Sequence, residues 1–245
     1  MKIENFLRET KYCDYSHPLI QATALKITKK IKGDKERAIA LFNYVRDNFP
    51  YTFDYWGIKA SETLKKGYGM CTNKNNLFIA LLRAVNIPAG YGILRVKARE
   101  YFGPIMLDRY KSKVSEVSKH IYSYAYLNNR WVKCDPSTDK ELSEKTSYFN
   151  YTTELVVWDG KNDAMDNIDP KHIINDKGPF WCIDRGLRKP FRNLSSLKIK
   201  MWNLYIRFLR TYDKRFTHRK EIERDFLRWV KKKHFFYYIL FSLFS

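Results

Sequence analysis

A cysteine, a histidine and an aspartate occupy positions in this sequence from which a folded chain could bring them together for nucleophilic catalysis. Cys71 follows the turn-forming segment Lys66-Gly67-Tyr68-Gly69-Met70 and begins a predicted helix. At that position, unpaired N–H groups and the helix dipole favour a thiolate over a thiol. His120 is the candidate general base, and Asp135 would fix the tautomer and the orientation of the imidazole. The backbone N–H of Cys71 is a candidate oxyanion donor.

A predicted β-hairpin explains how His120 and Asp135 could meet. Residues 120–127 and 130–135 have strand-like patterns, and Asn128-Asn129 between them is typical of a tight turn. The predicted facing pairs are Leu127 with Arg130, Tyr126 with Trp131, Tyr124 with Lys133 and Tyr122 with Asp135. In this register His120 is a diagonal neighbour of Asp135, at about 7–8 Å. A loop of two or four residues preserves the register, whereas a loop of three would break it.

Each of these residues also has an ordinary structural explanation. A cysteine at the start of a helix is more often a buried small hydrophobic residue. A histidine on a strand is usually a surface or hydrogen-bonded residue, and Asp135 before Pro136 is typical of a turn that ends a strand. The order, the spacing and the shared hairpin face favour the joint interpretation.

The surrounding pattern predicts an α+β fold. Helices are predicted at 18–31 and 35–48, with Asp34 as a cap, and a central, nearly all-apolar helix is predicted at 71–85. A strand is predicted at 89–96, a loop or short helix at 97–118, and turns at 155–190. The pattern from Leu194 onward is helical and basic.

The positive charge is concentrated at the C-terminal end. The chain has 245 residues and a net charge of +20, with 44% hydrophobic and 16% aromatic residues, so it is not a disordered chain. Residues 1–184 hold 29 Lys and Arg against 22 Asp and Glu, whereas residues 185–245 hold 17 against 4. We therefore predict a domain at 1–190 and a basic amphipathic helical extension at 191–245.

The cysteines and the N-terminus suggest a reduced, cytoplasmic protein. No secretory signal is visible at the N-terminus. Cys13, Cys71, Cys134 and Cys182 are widely spaced and form no CxxC pair, so neither a disulfide framework nor a zinc site is expected. Residues 159–163 are acidic but lack the alternating acids and final Glu of a calcium loop. We expect no metal and no cofactor.

Four segments together resemble the transglutaminase-like superfamily. Residues 60–72, ASETLKKGYGMCT, resemble its catalytic-cysteine motif, and residues 81–89, LLRAVNIPA, resemble the stretch that follows. His120 with residues 126–136, YLNNRWVKCDP, resembles its histidine strand and its aspartate strand. Residues 40–47, ALFNYVRD, match the preceding helix. The resemblance spans roughly residues 6–185.

The resemblance implies a papain-like core with a Cys–His–Asp triad formed by Cys71, His120 and Asp135. It implies acyl transfer or hydrolysis at an amide bond of a peptide or protein, by a peptidase, an amidase or a transglutaminase-like enzyme, through a thioester on Cys71. Ala89-Gly90 and Ile121-Tyr122 depart from the family's usual residues, which affects substrate contacts more than the triad. Tyr68 and Trp56 are the candidates for a side-chain oxyanion donor.

The basic extension has three interpretations. Its helices could pack on the core and present a basic outer face to solvent. Alternatively, residues 194–245 could bind an anionic membrane surface, because Lys231-Lys232-Lys233 precedes an apolar terminal segment that is too short to span a bilayer. No motif supports nucleic-acid binding. The competing functional hypothesis is a non-catalytic binding protein that works through this extension, and the oligomeric state is not predicted.

Overall fold

An antiparallel sheet packed against a buried helix forms the framework of the protein. We analysed a computed structural model that describes residues 2–102, 107, 115–146, 155–166, 168–187, 196–212 and 219–243. Its strands are β1 (Ala89–Lys97), β2 (Val117–Leu127), β3 (Arg130–Cys134) and β4 (Ile173–Phe180). The strand order is β3-β2-β1-β4, and all neighbouring strands are antiparallel.

Helices precede, cover and follow this sheet. They are α1 (Pro18–Thr28), α2 (Asp34–Asn48), α3 (Ala60–Lys66), α4 (Cys71–Ala84), α5 (Ala98–Phe102), α6 (Lys140–Thr146), α7 (Asp184–Leu187), α8 (Ser196–Thr211), α9 (Arg219–Lys233) and α10 (Phe235–Leu243). Short 3-10 helices lie at Ile3–Leu7 and Pro170–His172. The mixed helix and antiparallel-sheet class predicted from the sequence is confirmed.

Helix α4 is the central element of the fold. Every residue from Cys71 to Arg83 is buried, including the polar side chains of the second turn. The helix packs on β2 and on α1, α2 and α3. The buried apolar environment predicted for this helix is confirmed, and its N-terminal residue Cys71 is consequently held inside the protein.

The β2–β3 hairpin has the predicted turn. Asn128 and Asn129 both have positive φ, 49° and 61°, as a two-residue turn matching the twist of the strands requires. The predicted pairs of Leu127 with Arg130, Tyr126 with Trp131 and Tyr124 with Lys133 are confirmed. The ladder ends with Ser123 opposite Cys134. Asp135 therefore lies just beyond β3, before Pro136, which has no N–H to continue the ladder.

Some local predictions differ from the structure. Strand β4 lies inside the segment predicted to be turns, where Asp176, Gly178 and Pro179 interrupt the apolar alternation. It is an edge strand beside β1, a position where proline is tolerated. Gly33 caps α2, and Asp34 is the first residue of that helix. The segment 97–118 contains the short helix α5 and the start of β2, and part of it lies outside the described residues.

The C-terminal helices form a second apolar cluster that packs on the core. Buried residues of this cluster include Met201, Leu204, Phe208, Ile222, Phe226, Val230 and Phe241, together with Leu142 of α6. The Asn203 side chain accepts a hydrogen bond from the backbone N–H of Phe53 (2.8 Å) and donates one to its carbonyl (2.9 Å). The predicted domain boundary at residue 190 lies outside the described residues and stays a prediction.

The length and the apolar character of the described helices determine whether any of them could cross a membrane. Among the residues that the structure describes, no helix combines the length and the hydropathy needed to cross a bilayer.

Candidate functional site

The turn before α4 fixes the position of Cys71. Gly67 ends α3 in the left-handed conformation, with φ at 71°. Gly69 is closely covered by the Asn73 side chain, because a Cβ at Gly69 would lie 2.7 Å from the Cβ of Asn73. The Asn73 Oδ1 also accepts a hydrogen bond from the Met70 N–H at 3.0 Å. Cys71 therefore begins the helix in a constrained backbone, where the first N–H groups have no acceptor within the helix.

His120 and Asp135 form a buried hydrogen-bonded pair. The His120 Nε2 lies 2.5 Å from the Asp135 Oδ2, and the two residues are 5% and 0% exposed. Burial disfavours the charged imidazole, but the charge and hydrogen bond of Asp135 raise the pKa of His120 well above its usual value. In turn, burial opposes ionisation of Asp135, but the His120 charge and hydrogen bonds lower the pKa of its carboxyl.

Cys71 completes the group predicted from the sequence. A side-chain hydrogen bond with Cys71 is among the interactions that raise the pKa of His120, so the thiol lies against the imidazole. Because Nε2 contacts Asp135, Nδ1 is the ring nitrogen that remains available to the sulfur. The structure thus brings Cys71, His120 and Asp135 together, and their roles as nucleophile, base and orienting acid stay a prediction.

The other three thiols lie in different environments. All four cysteines are free thiols. Burial is the main cause that raises the pKa of Cys13, Cys134 and Cys182. A thiol with a raised pKa forms little thiolate near neutral pH. Cys71 is the candidate nucleophile because of its contact with the His120 imidazole.

Asn75 connects the three elements that carry the site, and the sequence analysis missed it. Its Nδ2 is within hydrogen-bonding distance of the carbonyls of Cys71 (3.0 Å) and Ile121 (2.9 Å), and of the Asp135 Oδ1 (3.1 Å). Its Oδ1 accepts a hydrogen bond from the Ser123 hydroxyl at 2.6 Å. Asn75 lies four residues after Cys71, on the same side of α4. That spacing is the signal by which it could have been found.

The second oxygen of Asp135 is held in the same way. Ser137 donates to the Asp135 Oδ1 through both its hydroxyl and its backbone N–H, the latter at 3.1 Å. The Oδ1 is thereby occupied by Asn75 and Ser137, so that Oδ2 is directed at His120. This arrangement fixes the orientation of the imidazole through a carboxylate that is itself fixed.

Asp166 is a second buried carboxyl beside the pair, and no sequence pattern indicated its position. One carboxylate oxygen of Asp166, one of Asp135 and a ring nitrogen of His120 all lie within 4.8 Å of one another. The Thr138 hydroxyl is 3.2 and 3.1 Å from its two oxygens. Burial and the Asp135 charge raise the pKa of Asp166 to about 7. The spacing would suit a metal ion, but the Asp135 Oδ2 is already engaged by His120, and both Asp166 oxygens by Thr138.

The remaining candidate residues lie away from this group or at its margin. Asp159 accepts hydrogen bonds from the backbone N–H groups of Lys161 (2.8 Å) and Asn162 (2.7 Å), as an ordinary acidic turn does. Tyr68 is partly exposed, with Lys66 over its ring. Trp56 belongs to the loop that Asn73 ties to α4 through the carbonyl of Tyr55. A role of Tyr68 or Trp56 as an oxyanion donor stays a prediction.

Part of the chain is similar to a known protein family. Residues 21–136, which include Cys71, His120 and Asp135, match the model of the Transglutaminase-like superfamily. No curated protein matches the chain significantly.

Two solved structures are similar in part. A "putative cysteine protease" from Cytophaga hutchinsonii aligns with a TM-score of 0.44 and 23% identity, over 55% of this chain and 42% of that chain. A "putative protease" from Parabacteroides distasonis aligns with a TM-score of 0.35 and 11% identity, over 54% and 24% of the two chains. The chain thus spans less than half the length of either protein. The similarity to the transglutaminase-like superfamily thus covers residues 21–136, a little under half of the chain, and this stretch contains all three residues of the site.

Proposed function

We propose that the protein catalyses acyl transfer or hydrolysis at an amide bond of a peptide or protein. The Cys71 thiolate attacks the carbonyl carbon, and His120 gives its proton to the departing amine. The acyl group then forms a thioester with the Cys71 Sγ. Water or a second amine attacks this thioester while His120 takes the proton of the attacking group, which releases the acid or a new amide and restores Cys71.

The observation that carries the proposal is the 2.5 Å contact between the His120 Nε2 and the Asp135 Oδ2, with Cys71 against the same imidazole. The contact fixes the tautomer and stabilises the imidazolium that accompanies a thiolate. The position of Cys71 at the first residue of α4 adds the favourable field of the helix N-terminus. The near-complete burial of all three side chains strengthens these electrostatic interactions.

The comparisons support a cysteine-dependent enzymatic role in general terms. Peptidase, amidase and transglutaminase-like activities share the thioester and differ in the group that attacks it. The choice between water and an amine is therefore a property of the substrate-binding surface rather than of the triad.

Trapping the thioester tests the proposal. We expect p-nitrophenyl acetate to acetylate Cys71, detected by mass spectrometry of the intact protein and its peptides, and hydroxylamine to remove the label. Cys71→Ser should lose this labelling, whereas Cys182→Ser, which removes a partly exposed thiol, should retain it. The proposal is contradicted if the acetyl group is distributed over several cysteines, or if Cys71→Ser is labelled as fast as the wild type.

The competing hypothesis is a non-catalytic binding protein on the same scaffold, and it makes the opposite prediction in cells. It holds if Cys71→Ala leaves every phenotype intact while deletion of residues 194–245 abolishes it. The proposed enzyme requires Cys71→Ala to reproduce the null phenotype.

A further inference from the structure

The last described helix, α10, exposes large apolar side chains to solvent. Phe235, Phe236 and Ile239 are 60%, 67% and 44% exposed. Their spacing places them on one side of the helix. The opposite side is anchored, because Phe241 is buried and its ring contacts Phe226 at a centroid distance of 5.1 Å. We call these three exposed residues the apolar tip.

A basic stripe on α9 leads directly to the apolar tip. Lys220, Arg224, Arg228 and Lys231 are exposed and recur at the spacing of one helical face, and Lys232 and Lys233 are exposed beside them. The helix also carries three acids, Glu221, Glu223 and Asp225. Its Lys and Arg residues outnumber them, so its net charge is positive. Asp225 lies 3.6 and 3.7 Å from Arg224 and Arg228, which leaves the three lysines at the C-terminal end as the dominant charges.

The inner faces of both helices are already occupied. Ile222, Phe226 and Val230 of α9 are almost completely buried, and Phe226 contacts the rings of Tyr205 and Phe208 of α8. The basic stripe and the apolar tip are therefore the outward-facing parts of helices whose other sides are packed. Folding of the extension does not require the apolar tip to be exposed, so its exposure needs another explanation.

We propose that the basic stripe and the apolar tip form a docking surface for an anionic lipid bilayer. The lysines would lie among the acidic headgroups, and the Phe235 and Phe236 rings would enter the boundary between headgroups and acyl chains. Helix α10 has nine residues and a length of about 13 Å, so it lies in the interface and does not cross the bilayer. This surface would place the enzyme beside a membrane and is independent of the chemistry at Cys71.

The apolar tip favours lipid over nucleic acid as the partner. A phosphate backbone would be bound by the basic stripe alone, and its affinity would depend mainly on salt. Two phenylalanines and an isoleucine without a polar group add little to phosphate binding. They add affinity where an apolar phase lies just below a layer of negative charge, as in a bilayer.

Sedimentation with vesicles tests the docking surface. The full chain is mixed with vesicles of phosphatidylcholine alone, or of phosphatidylcholine and phosphatidylglycerol in equal amounts, at low and moderate salt. We expect binding to the anionic vesicles only. The variant Lys231→Glu/Lys232→Glu/Lys233→Glu should bind about 100-fold more weakly or worse. The variant Phe235→Ser/Phe236→Ser should bind about tenfold more weakly at every salt concentration, with an unchanged salt dependence.

Matched controls make changes of the same kind elsewhere on the surface. Lys26→Glu/Lys29→Glu/Lys30→Glu changes the net charge by the same amount at exposed positions of the N-terminal region, and Leu25→Ser/Val157→Ser removes exposed apolar side chains. Both controls should bind like the wild type, apart from the small effect of total charge. Circular dichroism establishes that each variant is folded.

Three results would overturn the proposal. The first is no binding to anionic vesicles, or equal binding to both kinds. The second is binding to a 30-base-pair DNA duplex with no binding to vesicles, which would identify a nucleic-acid surface. The third is a dimer in lipid-free solution that Phe235→Ser/Phe236→Ser dissociates, since the apolar tip would then be covered by a second copy of the chain.

Discussion

The imidazole of His120 lies close to two buried carboxyl groups, and this is the main chemical feature of the site at the scale of single residues. Asp135 contacts Nε2 directly, and a carboxylate oxygen of Asp166 lies within 4.8 Å of a ring nitrogen. The groups that surround Asp166 are Asp135, His120, the Thr138 hydroxyl and the buried Lys74 ammonium. Burial and the Asp135 charge raise the pKa of Asp166 to about 7, so its negative charge appears near neutral pH.

This arrangement predicts that Asp166 adjusts the acidity of His120. Above pH 7 the Asp166 carboxylate stabilises the nearby imidazolium, and Asp166→Asn removes that charge. We expect Asp166→Asn to lower the pKa of His120 by about one to two units, as a unit charge at this distance would. Nuclear magnetic resonance titration of ¹⁵N-histidine-labelled protein measures the change.

Asp169→Asn, at an exposed acid of the same segment, is the control and should leave the His120 titration unchanged. An unaltered His120 pKa in Asp166→Asn, or an equal shift in Asp169→Asn, would show that Asp166 has no such influence.

The residue types of the site differ in how well the sequence predicts them. Cys71, His120 and Asp135 could be predicted because a helix start and a hairpin register restrict where their side chains can go. Asn75 offered one signal, its spacing of four residues from Cys71, but its contact with Asp135 and the burial of Asp166 depend on segments far apart in the chain. Asn75 reaches Asp135 across 60 positions, and nothing local to Asp166 indicates that it is buried beside His120.

At the scale of elements, the ion pair between Arg210 of α8 and the buried Asp139 helps to hold α8 on the core. The Arg210 Nη1 and Nη2 each lie 2.7 Å from an oxygen of Asp139, and Nη1 is 2.8 Å from the Glu141 Oε2. The same guanidinium donates to the carbonyl of Tyr51, while Asp139 accepts from the Tyr51 N–H. Burial opposes ionisation of Asp139, but Arg210 and the Tyr51 N–H lower the pKa of its carboxyl.

We therefore expect Arg210→Ala to destabilise the protein strongly. Loss of the guanidinium leaves the Asp139 charge buried without its partner, which costs about 3 kcal/mol of unfolding free energy. Arg207→Ala, at an exposed position of the same helix, should change the free energy by less than about 0.5 kcal/mol. Urea unfolding at pH 7 measures both variants.

The pH dependence provides a second measure of the same pair. Because the folded pKa of Asp139 is lowered, its stabilising contribution is present at neutral pH and is lost as the pH falls through that lowered pKa. The difference in unfolding free energy between Arg210→Ala and the wild type should therefore become smaller in acid. Equal losses from Arg210→Ala and Arg207→Ala would mean that the ion pair does not hold α8 on the core.

The elements themselves were predictable where one periodic pattern dominated. Helix α4 has its apolar residues within one short segment. The β2–β3 hairpin likewise has its turn signal within one short segment. Strand β4 lacked such a pattern, because its glycine, proline and charged residues are acceptable only on an edge strand beside β1. That pairing joins residues about 80 positions apart, which a local pattern cannot reveal.

At the scale of the whole molecule, charge and apolar burial are divided between two regions. One apolar cluster surrounds α4 and the sheet, and a second joins α8, α9 and α10 to Leu142 and Phe53. Residues 185–245, the part of the sequence that includes α8, α9 and α10, hold 17 Lys and Arg against 4 Asp and Glu. The net charge of +20 therefore describes the surface of the C-terminal helices more than the surroundings of Cys71.

The folded molecule as a whole is also what should distinguish Cys71 from the other thiols. In the unfolded chain the four cysteines have similar environments, whereas folding places Cys71 against His120 and buries Cys13 and Cys134, which raises their pKa values. The difference in reactivity should consequently appear on folding and disappear in urea.

Alkylation with iodoacetamide at pH 7, quantified at each cysteine by peptide mass spectrometry, measures this difference directly. In the folded protein Cys71 should react at least about tenfold faster than Cys13, Cys134 and Cys182, and His120→Ala should slow Cys71 by a similar factor without affecting the others. In urea all four rates should converge. Equal rates for the four cysteines in the folded protein, or an unchanged Cys71 rate in His120→Ala, would contradict the assignment of Cys71 and His120 as a nucleophile and its base.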